Sequence, residues 1–465
     1  MASYLVGKRS IWQHRRRERI PLLPYLLNCV YLLLILLAIP WLVWQSVRKG
    51  KYREGYAAKF LGFVPRCAAE DDGRKFCVWL HAVSVGEVNL LATLLKEIEK
   101  WHPDWKCVLS TTTATGMALA KKKYAGRTVF YCPLDFSWAV KNALRRVRPD
   151  VLVLAELELW PNLIREAKRR GVQVAVVNGR LGEKSFRGYR RIRPLVAGLL
   201  RRIDVLAVQD ETYAERFRKL GACPKTVQVT GSMKYDGAQT DRENSATRRL
   251  AALAGFASDD IVLLAGSTQE PEEAMVLETF RELLEKHPRL RLVLVPRHPD
   301  RFEAVAKLLD SFGLPWQRRT ALDGAVGEVD DSSPKPRILL VDVVGELGAW
   351  WGTSHIAFVG GSMGRRGGQN MIEPAAYGAA VSFGPNTWNF RDIVAAMLER
   401  EAAVVVRDKT EFAAFVRRCL DDPMFAAALG RRAQQFVQSQ LGATQRTVAL
   451  IEETCSRQER EARPS

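Results

Sequence analysis

Glu87 lies in WLHAVSVGEVNLLATLL, where an apolar strand turns through Ser84 into a helix. A carboxylate there can act as a general base, or it can simply favour the positive end of the helix. Glu156 and Glu158 close a second apolar run, DVLVLAELELWPN, and their spacing puts both on one strand face. Acids in that setting are costly unless they bind something or take backbone donors. Lys234, in GSMKYDG, is a cation suited to a substrate carboxylate or a phosphate. Further on, HIAFVGGSMGRRGGQNMIEPAAYG reads as strand, glycine-rich loop and helix. Its glycines let a backbone approach a ligand, or serve as plain turns. A helix starting near Asn370 would offer free N–H groups to a phosphate, and Glu373 would face ribose hydroxyls. The loop is neither a Walker A motif nor GxGxxG, so it points to a phosphate or nucleotide in general. Three more strand ends join it: Pro296 and Arg297 in VPRHPDRF, Gly345 and Glu346 in VDVVGELGAWWG, and Ser267 and Thr268 in LLAGSTQEPEE. The last is also a capping pattern that needs no ligand.

The elements that must position these residues alternate. KFCVWLHAVS, WKCVLSTTT, TVFYC, DVLVLAE, VQVAVVN, DVLAVQ and TVQVT read as strands separated by helix-like segments. The pattern breaks at a polar stretch and restarts with IVLLAG, LRLVLVP, RILLVD, HIAFVGG, AAVSFG and AAVVV. Such alternation predicts an α/β protein with two doubly wound lobes facing each other across a cleft, ligands binding at the carboxyl ends of the strands. The expected division is a basic N-terminus and apolar segment over 1–50, a first lobe over 51–235, a linker over 236–250, a second lobe over 251–440, and a C-terminal helix and tail over 441–465.

Charge is concentrated. Of a net +19, residues 1–60 carry +9 and residues 165–202 carry +10, so the rest of the chain sums to zero. A nucleic-acid binder would be basic more uniformly. Two patches suit an anionic, phosphate-bearing membrane surface, although the second could also be a solvated helical face. Within it, Arg187, Arg190, Arg191 and Arg193 alternate with apolar residues in FRGYRRIRPLVAGLLRRI, which reads as one basic, apolar-faced helix. No charge occurs between Arg19 and Arg48, and residues 22–44 are apolar over a bilayer's thickness. This is a membrane anchor; Pro24 and Pro40 leave room for either a tilted span or a partly embedded segment. The 8 cysteines and 6 histidines form no ligand cluster, and no DxD pair lies at a strand end, Asp330 and Asp331 being adjacent in a polar loop. Neither a metal, a disulfide framework nor another cofactor is expected, and free thiols favour a reducing compartment.

SVGE, ELWPN, GSMKYD, GSTQEPEE, VPRHPDRF, GELG, FVGGS, GGQNMIEPAA and GPNTWNF follow one another in an order that resembles the 3-deoxy-manno-octulosonic acid (Kdo) transferases of lipopolysaccharide assembly. The resemblance runs from about residue 22 to about 440. It implies a GT-B fold with an acceptor-binding first lobe and a donor-binding second lobe, CMP-Kdo as donor, a lipid A precursor as acceptor, and inversion at the anomeric centre. It implies Glu87 as proton acceptor, with Glu156 and Lys234 assisting the transition state. CMP contacts are implied for Pro296 and Arg297, for Val344, Gly345 and Glu346, and for Asn370, Met371, Ile372 and Glu373. Gln369 and Gln269 depart from the family, which commonly has His at both places. The long basic N-terminal extension is also not explained by it.

The chemistry is consistent with that resemblance. CMP-Kdo carries one phosphate, which a glycine loop can hold without a divalent metal. A doubly phosphorylated lipid suits the basic patch, and a membrane-embedded acceptor suits the anchor. The resulting expectation is an enzyme of the inner membrane with its body on the cytoplasmic side. The competing expectation is another anchored GT-B glycosyltransferase that takes a UDP-sugar and a different lipid; a donor screen separates the two.

Overall fold

The computed structural model describes residues 22–49, 54–67, 76–324 and 336–462. The basic extension before Leu22 and the pair Asp330 and Asp331 lie outside them. The chain divides into two compact units, one formed by residues 1–233 with 442–465, the other by 234–441.

The first unit opens with the apolar helix α1 (Leu22–Lys49) and the short helix α2 (Tyr56–Leu61). Strands and helices then alternate: β1 (Cys77–His81), α3 (Val85–Trp101), β2 (Lys106–Thr111), α4 (Ala114–Lys123), β3 (Val129–Tyr131), α5 (Ser137–Val147) and β4 (Val151–Ala155). They continue as α6 (Pro161–Arg169), β5 (Gln173–Gly179), α7 (Glu183–Arg191), α8 (Arg193–Leu200), β6 (Val205–Val208), α9 (Glu211–Leu220) and β7 (Val227–Val229). All pairings are parallel, in the order β3-β2-β1-β4-β5-β6-β7. The inner strands are Val- and Leu-rich and buried on both faces, as a parallel sheet covered by helices requires, while the edge strand β7 is largely exposed.

The second unit runs α10 (Ser245–Leu253), β8 (Ile261–Thr268), α11 (Glu272–Leu284), β9 (Leu290–Pro296), α12 (Phe302–Phe312), β10 (Trp316–Arg318) and β11 (Ile338–Leu340). It ends with α13 (Leu347–Trp350), β12 (Ile356–Val359), α14 (Ile372–Ala376), β13 (Ala380–Phe383), α15 (Arg391–Glu399), β14 (Val404–Val405), α16 (Lys409–Asp421) and α17 (Pro423–Gln440). Its parallel sheet has the order β10-β11-β9-β8-β12-β13-β14. Strand β10 is short and polar, and no apolar alternation announces it. Residues 236–250, read from sequence as a linker, include most of α10, whose Leu250 is buried in this unit's core. The last helix, α18 (Ala443–Ala462), returns to the first unit, where Ala443, Val448, Ile451 and Cys455 join the core under α3.

The second sheet turns back at its edge, where β11 lies between β9 and β10. Near the middle of each sheet the strand order also reverses direction, between β1 and β4 in the first unit and between β8 and β12 in the second. Crossover helices leave those neighbouring strands on opposite faces, so a crevice opens beyond their carboxyl ends. Every acid or loop singled out above for catalysis or phosphate binding can be located against these two points.

Candidate functional site

In the first unit Glu87 follows β1, and Glu156 and Glu158 follow β4, so the three carboxylates belong to the two strands of the switch point. Ser84 caps α3, its Oγ accepting from Glu87 N–H (3.3 Å) and donating to Glu87 Oε1 (2.7 Å), while Val83 N–H donates to Oε2 (2.8 Å). This is a capping box, so the structural reading of Glu87 is correct as far as it goes. It also holds the side chain still. Each carboxylate oxygen keeps a second lone pair, so the box does not use up its basicity. Burial pushes the Glu87 carboxyl above its ordinary range; the Val83 and Ser84 donors pull against this, and the charge of Glu156 adds to it.

Glu156 is held in the left-handed region (φ 54°), a conformation that costs a non-glycine residue about 1 kcal/mol or more. Its Oε2 accepts from Arg180 Nε at 3.0 Å. Glu158 accepts from the Trp160 indole (3.0 Å), and its carboxyl is pushed up to about 7 by burial and by the charge of Glu87, with Glu156 adding. Lys234 is half-buried and opens the second unit, directly after Ser232 and Met233, which Asn178 Oδ1 holds in place (3.4 and 3.0 Å). His81, at the end of β1, is fully buried, with Nδ1 2.9 Å from Ser110 Oγ. Burial lowers it to about 4, so it is a neutral core residue.

In the second unit, Ser267 and Thr268 end β8 and Pro296 ends β9, with Arg297 N–H donating to Thr268 O (3.0 Å) and the Arg297 side chain exposed. The glycine loop follows β12, on the other side of the switch point. One residue here was not singled out from the sequence: Glu272. It is 1% exposed, and its carboxylate accepts from the backbone N–H groups of Gln269 (2.9 Å), Gly361 (2.8 Å), Ser362 (2.9 Å) and Met363 (2.9 Å). One acid thus joins the loops after β8 and β12. Gly360 is required by this packing, since a Cβ there would lie 2.6 Å from Ser267 O and 2.8 Å from Glu272 Oε2. The available signal was an acid in an apolar helix start two residues after Glu270, which is no stronger than an ordinary N-terminal acid.

Other residues expected at the donor site have partners within the protein. The helix after the glycine loop, α14, has five residues, too short to present a dipole, and its Ile372 N–H is taken by Asn370 Oδ1 (3.1 Å). Met371 and Ile372 are 0% and 2% exposed, so their side chains belong to the core. Asn370 Nδ2 also donates to Glu373 Oε1 (3.0 Å), and burial raises the Glu373 carboxyl above its usual range. Glu346 is engaged as well: buried Arg319 grips it bidentately (both 2.9 Å), and the Trp350 indole donates to it (3.2 Å). Only Val344 and Gly345 are exposed in that turn. Gln269 and Gln369, in different loops, meet beside Gly361: their Nε2 atoms lie 3.4 and 3.2 Å from where its Cβ would be.

The basic patch is also not one helix. It breaks at Ile192 into α7 and α8, and Val196, Leu199 and Leu200 face the core. Arg187, Arg190, Arg191 and Arg193 are exposed, with Ile192 and Leu195 beside them. Arg187 pairs with Glu183 (2.9 Å) and Arg193 donates to Lys219 O (3.0 Å).

Residues 56–237 match the family model described as 3-deoxy-D-manno-octulosonic-acid transferase (kdotransferase). The chain is 35% identical over 390 residues to the 3-deoxy-D-manno-octulosonic acid transferase of Bordetella pertussis, covering 81% of this chain and 87% of that protein. It is 31% identical over 409 residues to the Haemophilus influenzae protein of the same name, covering 87% and 92%. Among solved structures, UDP-GlcNAc 2-epimerase from Neisseria meningitidis superposes with a TM-score of 0.54 at 13% identity, over 81% of this chain and all of that one, a likeness of fold alone. Two Rossmann-like units after an apolar helix are the GT-B architecture. Identity at this level, sustained over most of both proteins, means that the chain belongs to the 3-deoxy-D-manno-octulosonic acid transferase family and is a glycosyltransferase.

Proposed function

We propose that the protein transfers Kdo from CMP-Kdo to a lipid A precursor at the cytoplasmic face of the inner membrane, with inversion. The observation that carries the catalytic part is the meeting of Glu87 with Glu156 and Glu158 at the switch point of the first unit. Glu87 takes the proton of the acceptor hydroxyl. That oxygen bonds to the anomeric carbon of Kdo, on the face opposite the departing phosphate, and the bond to CMP breaks. Glu156, set by Arg180, and Lys234 assist the charge that develops. A positioned base contributes about 10²–10⁴-fold.

The donor is assigned to the second unit, at the loops after β8, β9, β11 and β12. Arg297 and the Gly345 turn supply exposed groups for the nucleotide. Glu373 and Asn370 supply polar atoms for the ribose, and the Glu272-braced loop, with Ser267 and Thr268, supplies backbone for the phosphate and sugar acid. Helix α1, with hydropathy 1.9 over Pro24–Trp41, supplies the membrane attachment, and Arg187, Arg190, Arg191 and Arg193 face the acceptor's phosphates. The test is incubation of the purified chain with a lipid A precursor and either CMP-Kdo or a panel of UDP-sugars, with products weighed by mass spectrometry. A Kdo mass increment only with CMP-Kdo is expected; an increment from a UDP-sugar alone would replace this reading.

A further inference from the structure

Helix α1 is tied to the first unit near its start, and the chain is tied to it again just after the helix ends. Asn28, 6% exposed, donates from Nδ2 to Ser137 Oγ (2.7 Å) and accepts from Ser137 N–H (3.0 Å). Tyr31 donates its hydroxyl to Asp135 Oδ2 (3.1 Å), with its ring edge-on to Phe136 at 6.1 Å. Past the helix, Tyr131 donates to Glu54 (3.1 Å), Leu134 N–H donates to Lys59 O (2.8 Å), and the Phe60 ring stacks on the same Phe136 at 6.2 Å. The chain therefore leaves Phe136 at Tyr31 and is back beside it by Phe60.

Length decides what α1 can do between those ties. From Tyr31 to Lys49 the helix covers ~27 Å at ~1.5 Å per residue, close to the ~30 Å of a hydrocarbon core. From Lys49 to Glu54 the chain has five steps, reaching at most ~18 Å. A helix set along the bilayer normal would put Lys49 at the far side, and Lys51 and Arg53 would have to recross the hydrocarbon on a chain too short for it, without backbone partners. The part before Tyr31, Leu22–Val30, covers only ~14 Å and cannot span alone. The less exposed positions also follow one face along the whole helix: Asn28, Tyr31, Ile35, Ala38 and Gln45 fall within an arc of roughly 100°. Pro24, Leu27 and Ser46 are also partly covered and fall in the same arc, while most of the other described positions are apolar and exposed, Leu37 and Val47 at about 70%.

Resting on the reading of α1 as the membrane segment, we infer that this helix lies in the plane of one leaflet, with both its ends and the body on the same side. Tyr56, Leu61, Phe63 and Trp138, in the segments tied beside Phe136, are further exposed apolar side chains of the same unit. The occupant is the acyl–headgroup boundary of a bilayer: Trp41, Trp44, Tyr56 and Trp138 are amphipathic aromatics of the kind that settle there, and exposed Lys141 and Arg145 on α5 suit anionic headgroups.

The test uses the full chain in vesicles of phosphatidylethanolamine with phosphatidylglycerol. Flotation with the vesicles comes first; failure to float would overturn the membrane reading itself and this inference with it. Single nitroxides are then placed at successive positions from Val30 to Ile39, with Cys29 and Cys223 replaced by Ser. The ratio of oxygen to nickel-chelate collisions should rise and fall every ~3.6 residues. A smooth profile with one maximum at mid-helix, in a chain that floats, means a spanning helix and overturns the inference while leaving the anchor intact. Dipolar broadening that disappears on dilution with unlabelled chain would mean that a second copy covers the face, which also overturns it. Independently, in the Cys29→Ser protein, Ala2→Cys and Lys96→Cys should both react with an impermeant maleimide in inverted inner-membrane vesicles and neither in intact spheroplasts. Reaction of Ala2→Cys only from outside spheroplasts would refute in-plane placement without any reconstitution.

Discussion

At the scale of single residues, Glu87 carries two duties that mutation can separate. Its capping box stabilises the start of α3, and Gln keeps the shape and part of the hydrogen bonding. Glu87→Gln should therefore cost about 1 kcal/mol of stability or less, the size of a cap, while transfer falls at least 10²-fold. CMP-Kdo binding should be retained. Activity within a few-fold of the parent would remove Glu87 from the base role. Its pH dependence follows from its surroundings. A base acts when deprotonated, so the rate rises with pH through its pKa, and burial places that rise above the ordinary carboxylate range. The charge of Glu156 pushes in the same direction, so Glu156→Gln should move the acid limb of kcat/KM to lower pH, alongside any loss of rate. A limb that stays put or moves up would show that the two carboxylates do not sense each other. On the donor side, Arg297→Ala and Glu373→Ala should each weaken CMP affinity by roughly 1–3 kcal/mol, the range for a lost charge-assisted hydrogen bond. Calorimetry showing unchanged affinity in both would mean that the donor loops are misassigned.

Among the elements, the junction of β8, α11 and β12 has one keystone. Glu272 receives four backbone N–H groups, three of them in the glycine loop. Burial alone would raise its carboxyl, and those four donors act against that, which is what makes a buried unpaired acid tolerable. Glu272→Ala leaves the donors facing an apolar gap. With a penalty of about 1–3 kcal/mol for a buried unsatisfied group, and water relieving some of them, the second unit should lose about 2–4 kcal/mol. CMP affinity should fall too, although Glu272 itself need not touch the nucleotide. A thermal unfolding midpoint and a CMP affinity both equal to the parent's would show that the loop holds its shape without this acid. The same junction explains Ser267, whose φ of 55° is tolerated because the loops on both sides over-determine it.

For the whole molecule, the membrane attachment proposed above would be partly electrostatic, drawing on the two basic regions as well as on α1. Arg190 and Arg191 are the cleaner pair to remove, because Arg187 is bound to Glu183 and Arg193 to the Lys219 carbonyl. Each cation near an anionic surface contributes about 1 kcal/mol, and salt screens it. Arg190→Ser with Arg191→Ser should weaken binding to anionic vesicles, reduce its salt dependence, and raise the apparent KM for the lipid acceptor with the KM for CMP-Kdo unchanged. Equal vesicle binding and equal acceptor KM would make the patch a solvated face. Of its apolar residues, Val196, Leu199 and Leu200 turn inward in α8, while Ile192 and Leu195 remain exposed.

Much of this was legible in the chain. Apolar runs of four to eight residues punctuated by helix-like segments determine strands, because burial on both faces demands them locally. Strand-to-helix turns located Glu87, Glu156 and the glycine loop for the same reason, and nine motifs in one order pointed to the family. What only the tertiary structure decided is non-local. Strand order is chosen by which apolar faces can be covered together, not by any run of residues, and it alone makes β1 the neighbour of β4 and β8 the neighbour of β12. That adjacency gathers Glu158 with Glu87 and turns Glu272, an acid in the first turn of α11, into the brace of a loop about ninety residues away. It likewise commits Glu346 to Arg319 and ties Asn28 and Tyr31 of an apolar helix to Ser137 and Asp135. Side-chain partners of that kind depend on distances through space, which spacing along the chain does not encode.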